Sequence, residues 1–225
     1  MRRGEHGGDW AAYQIQSHGM PLDFSANVSP MGIPAGVKRA LYQAVEEVNR
    51  YPDPLCRQLR ACLGRHHDVS SAQILCGNGA SDLIDRLVLA LRPKRGMVTA
   101  PAFSEYGQAL RRVGCQVEEF PLQRAEDFRM TARILERITP ALDILFLCEP
   151  SNPAGQTTDR ALLEKILERC DACGVLLVVD ECFEEFLLDR SHSMVSNLTG
   201  HHLLILRAFT KFYGLAGVRL GYCLC

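Results

Sequence analysis

One lysine, Lys211, stands among apolar and small residues in Arg207-Ala208-Phe209-Thr210-Lys211-Phe212-Tyr213-Gly214-Leu215-Ala216-Gly217-Val218-Arg219-Leu220-Gly221-Tyr222. Desolvation disfavours an ammonium, so a lysine in such a setting loses its proton more cheaply than one in water. The neutral amine is a nucleophile that condenses with carbonyls to Schiff bases. A solitary lysine is more often a solvated surface side chain, so the rest of the chain decides.

Four stretches upstream carry groups that could serve one ligand. Gly77-Asn78-Gly79-Ala80-Ser81 joins a strand to a helix. Small residues let a backbone approach a ligand, and the amides of a first helical turn can hold a phosphate. The same residues also suit a tight turn with Ser81 as N-cap. Asp180 closes the apolar run from Val175 to Val179. A carboxylate at the end of a buried strand needs a partner, because its burial is costly. A protonated ring nitrogen would be one, and a cap on the next helix another. Asn152 precedes Pro153, where its amide could bond a ring oxygen or form a plain Asn-Pro turn. Tyr106 has a flat face for stacking on an aromatic ligand, or for filling the core.

The elements that must hold these groups alternate. A helix follows Pro34, with Val37, Ala40, Leu41, Ala44, Val45 and Val48 at helical spacing, and Tyr51-Pro52-Asp53-Pro54 stops it. A second helix runs near Leu55 to His67. Strands are expected at Ile74–Cys76, Met97–Ala100, Gln116–Phe120, Asp143–Cys148, Val175–Val179 and Leu203–Leu206. Helices are expected at Asp82–Leu91, Tyr106–Val113, Thr131–Ile138 and Asp159–Cys173. Such alternation predicts an α/β fold with a mostly parallel sheet. Ligands bind such sheets beyond the carboxyl ends of the strands, where all the turns named above fall.

Composition narrows the partners. A formal net charge of -1 leaves no footprint for nucleic acid or an anionic membrane. No apolar run approaches the roughly 20 residues of a membrane span. Met1-Arg2-Arg3-Gly4-Glu5-His6 leads into no apolar segment, so no signal peptide is expected and the location is expected to be cytoplasmic. Reduced thiols follow from that, several of them in apolar strand-like runs where a thiol is a small hydrophobe. Cys170-Asp171-Ala172-Cys173 is a lone CxxC at a helix end, and no metal site is expected there or at His66-His67 and His201-His202.

Taken in order, the set of phosphate turn, aromatic, Asn-Pro, Asp, Lys and Arg resembles the fold-type I pyridoxal-phosphate enzymes of the class I/II aminotransferase group. The matching residues are Gly79-Ala80-Ser81, Tyr106, Ser151-Asn152-Pro153-Ala154-Gly155, Asp180-Glu181, Thr210-Lys211 and Gly217-Val218-Arg219-Leu220-Gly221. The resemblance implies an aspartate aminotransferase-like large domain, a mostly parallel sheet sandwiched by helices, over residues 36–225. It implies that residues 1–35 form an arm contributing to the substrate site. It implies pyridoxal 5'-phosphate as cofactor, held by Lys211. Asp180 would pair with the ring nitrogen, Asn152 with the ring 3-oxygen, and Tyr106 would stack on the ring. Gly79, Ala80, Ser81, Thr210 and Arg219 would hold the phosphate. Tyr51 would reach the phosphate of a neighbouring subunit, which implies a homodimer with shared sites.

Two subgroups carry this core set. His6-Gly7-Gly8 and the run from Leu22 to Gly32 resemble the threonine-phosphate decarboxylases of cobalamin synthesis, as do Ala102 to Gly107 and Phe209 to Tyr213. That implies decarboxylation of O-phospho-L-threonine, a small phosphorylated amino acid, to aminopropanol phosphate, with His6, Gly7, Asn27 and Asn152 at the substrate. The histidinol-phosphate aminotransferases stand as the alternative. Two positions depart from the group: Phe183 where many members have tyrosine, and Ala208 where a Ser or Thr usually meets the phosphate. The group continues into a small domain that grips the substrate carboxylate. This chain is therefore expected to lack most of that domain and to hold an incomplete substrate site. A cofactor-binding fragment without turnover is the third reading.

Overall fold

The computed structural model describes Gly8 and residues 22–225. Seven strands form one sheet: β1 (Ile74–Gly77), β2 (Arg95–Ala100), β3 (Gln116–Pro121), β4 (Ile144–Cys148), β5 (Leu176–Asp180), β6 (Leu203–Ala208) and β7 (Gly221–Leu224). Their order is β1-β7-β6-β5-β4-β2-β3. All neighbours pair parallel except β7, which runs antiparallel to both β6 and β1. The expected mostly parallel α/β architecture is the one adopted.

The central strands are continuous apolar runs, the pattern of strands covered on both faces. Alternation along each strand divides them between two cores. Leu145, Leu147, Leu177, Val179 and Ile205 face Leu163, Ile166, Leu167 and Cys170 on one side. Ile144, Phe146, Val178 and Leu206 face Ile84, Val88 and Leu110 on the other. The helices are α1 (Ala35–Val45), α2 (Arg57–His67), α3 (Ala80–Leu91), α4 (Ser104–Arg112), α5 (Ile134–Arg137) and α6 (Arg160–Cys173). The side chain of Asp159 caps α6 by accepting from the Leu162 amide at 3.2 Å, and Gly174, in the left-handed conformation, ends it.

Two boundaries differ from expectation for local reasons. α3 starts at Ala80, because Gly79 takes the N-cap position at φ 85°, a conformation open to glycine. The helix expected over Thr131–Ile138 contracts to α5; Ile138 is already extended, and Pro140 keeps the residue before it out of the helical region.

α1 buries none of its residues. Around it Phe24 is 88%, Met31 90%, Val48 80% and Tyr51 102% exposed. No helix among the described residues is long and apolar enough to cross a membrane. β1, β2, β4, β5 and β6 all end at one edge of the sheet, and β7 begins there. The turns that follow those strands meet at that edge.

Candidate active site

The first component is an anion cradle. Gly79 is buried at the head of α3, and the amides of Ala80 and Ser81 lie in the first turn, where a helix offers no internal acceptor. The Arg219 guanidinium lies against Gly79: a Cβ there would stand 2.7 Å from Nη2. Gly221 approaches the same turn, since its Cβ would meet the Gly79 carbonyl carbon at 2.8 Å and the Ala80 nitrogen at 2.9 Å. Arg219 adopts φ 57°, uncommon for a residue with a side chain. Its hydrogen bond goes to the Ala216 carbonyl at 3.4 Å, and no carboxylate among the described residues pairs with it. An uncompensated cation at a helix N-terminus is built for a phosphate.

The second component is a buried carboxylate. Asp180 ends β5 at 4% exposure and accepts from the Tyr106 hydroxyl at 2.6 Å and from the Cys182 amide at 3.0 Å. Burial, and then the neighbouring Asp180, push the Tyr106 phenol well above its usual range, so it remains a donor. The expected stacking of Tyr106 on a ligand is thereby corrected. Its ring is 1% exposed, stacked on Phe146 at 5.2 Å and set edgewise to Phe103 at 5.5 Å, so it presents no face to a ligand. Phe103 is the aromatic that sequence reasoning passed over. It is half-buried and caps α4 directly at the end of the β2 turn. Its signal was its place next to Pro101-Ala102, before the helix rather than within it.

The third component is the lysine loop beyond β6. Lys211 is half-buried, with Nζ 5.6 Å from the centre of the Phe183 ring, so the exits of β5 and β6 face each other. Thr210, also half-buried, precedes it. The N-terminal segment closes on this loop. The Ser29 amide donates to the Lys211 carbonyl at 2.9 Å. The backbone of Gly32 packs on Gly214, where a Cβ would come within 3.1 Å. Asn27 Nδ2 donates to Asn152 Oδ1 at 3.3 Å, bringing together two positions far apart in sequence. Tyr51 stays apart: it is fully exposed and makes no hydrogen bond or ring contact with the described residues. His6 and Gly7 lie outside the described residues.

An amine, a buried carboxylate and an unpaired guanidinium at a helix N-terminus share one edge of the sheet. That donor set fits a phosphorylated aldehyde whose ring nitrogen can carry a proton.

Comparison with known proteins gives the same frame. The sequence model of aminotransferase class I and II matches residues 20–225. The threonine-phosphate decarboxylase of Salmonella typhimurium is 42% identical over 201 residues, covering 89% of this chain and 55% of that protein. The histidinol-phosphate aminotransferase of Bacillus subtilis is 33% identical over 205 residues, covering 89% and 56%. The crystal structure of the histidinol-phosphate aminotransferase from Clostridium acetobutylicum superposes with a TM-score of 0.83 at 27% identity, covering 91% of this chain and 60% of that one. The chain thus spans a little over half the length of the curated relatives it matches. Sequence match, sheet order and donor set agree: the chain belongs to the class I and II aminotransferases, a family dependent on pyridoxal 5'-phosphate.

Proposed function

We propose that the chain is the cofactor-binding part of a lyase that decarboxylates O-phospho-L-threonine to aminopropanol phosphate for cobalamin synthesis. The observation that carries the reading is the N-terminal segment lying on the catalytic loop: Ser29 bonds Lys211, and Asn27 bonds Asn152. This is the segment whose sequence resembles the decarboxylases. The 42% identity to the Salmonella enzyme supports it.

Bound pyridoxal phosphate supplies an electron sink. Lys211 holds it and then carries the proton returned to the substrate Cα. Asp180 keeps the ring nitrogen protonated, with Tyr106 aiming the carboxylate. Asn152 bonds the ring 3-oxygen, without help from Phe183, which has no hydroxyl. Phe103 takes the stacking role first given to Tyr106. Gly79, Ala80, Ser81, Thr210 and Arg219 hold the phosphate, and Ala208 adds no contact. Residues 1–35 serve as the arm, with His6, Gly7 and Asn27 at the substrate. The exposed apolar residues of 22–55 form the face of a homodimer, through which Tyr51 reaches the partner subunit's phosphate site. The location is cytoplasmic.

The test is direct. With added pyridoxal phosphate the chain should develop a visible absorbance band that Lys211→Ala abolishes; a band that survives overturns the assignment. Release of CO2 from O-phospho-L-threonine supports the lyase. Transamination of histidinol phosphate would establish instead the second reading, which the Clostridium structure favours. A band without turnover of either would mark a binding fragment.

A further inference from the structure

Beside the site, on the opposite face of the sheet from the Asp180 carboxylate, lies a buried charge cluster. β5 and β6 run in register, with Asp180 beside Leu206, so the next residue of each strand, Glu181 and Arg207, also stand side by side. Arg207 Nη2 donates to Glu181 Oε2 at 2.5 Å and to Ser193 Oγ at 3.0 Å. Its Nη1 donates to Glu184 Oε2 at 2.7 Å and to Glu185 Oε1 at 3.2 Å. The Arg207, Glu181 and Glu184 side chains are 4%, 1% and 3% exposed. Glu181 accepts two further bonds, from the Ser193 hydroxyl at 2.9 Å and the Met194 amide at 2.7 Å. Arg160, in the first turn of α6, anchors that segment through the Ser193 carbonyl at 2.6 Å.

Stability does not explain such a cluster. Three carboxylates share one guanidinium, and apolar side chains of the same volume would be equal or better in a buried site. Burial pushes the Glu181 and Glu185 carboxyls up, with Arg207 opposing it. What charge-assisted bonds provide, and apolar packing does not, is direction. Glu181 immediately follows Asp180, and Arg207 is the penultimate residue of β6, just before the turn that carries Lys211. On the outer side the same two segments meet through Phe186 and Phe212, with ring centres 5.3 Å apart.

We propose that Arg207 is a positioning residue that fixes the spacing of Lys211 from Asp180 by clamping the exits of β5 and β6. This rests on the cofactor reading above, and its test separates the two. Arg207→Met removes the directed bonds at similar volume; Arg207→Lys keeps the charge but not the fork. Hydrogen exchange is measured first on the cofactor-free chain. Both variants should exchange faster in 181–186 and 207–213, Lys less than Met, while β2 and β4 keep wild-type protection. With pyridoxal phosphate added, Arg207→Met should bind at least about tenfold more weakly, and the pH midpoint of its visible band should move. Arg207→Lys should recover part of both changes. Unchanged exchange in the two segments would overturn the proposal, and so would loss of protection spread evenly over the sheet, the mark of a merely structural role. Local loosening in a chain whose wild type shows no lysine-dependent band would uphold the clamp and sink the cofactor reading instead.

Discussion

The Tyr106 hydroxyl donates to Oδ2 of Asp180 at 2.6 Å, inside a core that leaves the tyrosine 1% exposed. Hydrogen bonds to charged acceptors contribute about 1.5–3 kcal/mol, and a buried acceptor left short of a donor is costly. Tyr106→Phe keeps the ring stacked on Phe146 and removes only the donor. It should fold and lose stability in that range, as measured by urea unfolding. A loss below about 0.5 kcal/mol would mean that the carboxylate finds a replacement donor.

Gly79 has room for no side chain beneath Arg219. Gly79→Ala adds a methyl 2.7 Å from Nη2 and places it at φ 85°. The backbone strain costs on the order of 1 kcal/mol. Displacement of the guanidinium should weaken pyridoxal phosphate binding more than tenfold, read by absorbance titration. Arg219→Ala should match that loss without the strain, so the two variants should differ in thermal stability but not in cofactor affinity.

Glu149 opens the turn after β4 at 6% exposure, and burial pushes its carboxyl up to about 7, against the opposing bonds from Thr158. The folded state therefore holds a proton that the unfolded chain releases near its ordinary value of 4.5. Folding stability from this group is fully present below about 4.5, is lost as pH rises toward about 7, and is constant above that. The loss is on the order of 3 kcal/mol. Glu149→Gln should remove this slope, and urea midpoints of both proteins at pH 5 and pH 8 provide the check. Parallel pH dependence in the two would refute it.

The proposed shared site makes a mixing prediction. Tyr51 is fully exposed, so Tyr51→Ala should leave the stability of a single chain within about 0.5 kcal/mol of wild type. In a dimer it should weaken cofactor binding across the interface. Mixing Tyr51→Ala with Lys211→Ala chains should restore one intact site per mixed dimer, seen as recovered high-affinity absorbance. Recovery absent from mixtures that do exchange subunits would rule out the shared site.

Strands and turns were readable because contiguous apolar runs ended on Gly, Pro, Asn or Asp, and nearly every functional candidate sat at such an end. The orientation of an aromatic was not. Phe103 and Tyr106 lie within one turn of each other, and only the start of α4 at Ser104 decides which ring enters the core. The charge cluster was hidden for a related reason: Arg207 reads as the polar end of a strand, and its three carboxylates lie in a stretch with no periodicity. The apolar stripe of α1 was legible as a stripe. Periodicity reports that a face calls for cover and says nothing of what supplies it.

β1 sits at the edge of the sheet and joins it only through β7, which lies far along the chain. A ribosome delivers the first strand long before the seventh. Until β7 emerges, Gly77 to Ser81 wait without the backbone that completes them, because Arg219 and Gly221 have yet to be made. The anion cradle therefore forms only when the first and seventh strands meet, and cofactor capture reports that this pairing is in place.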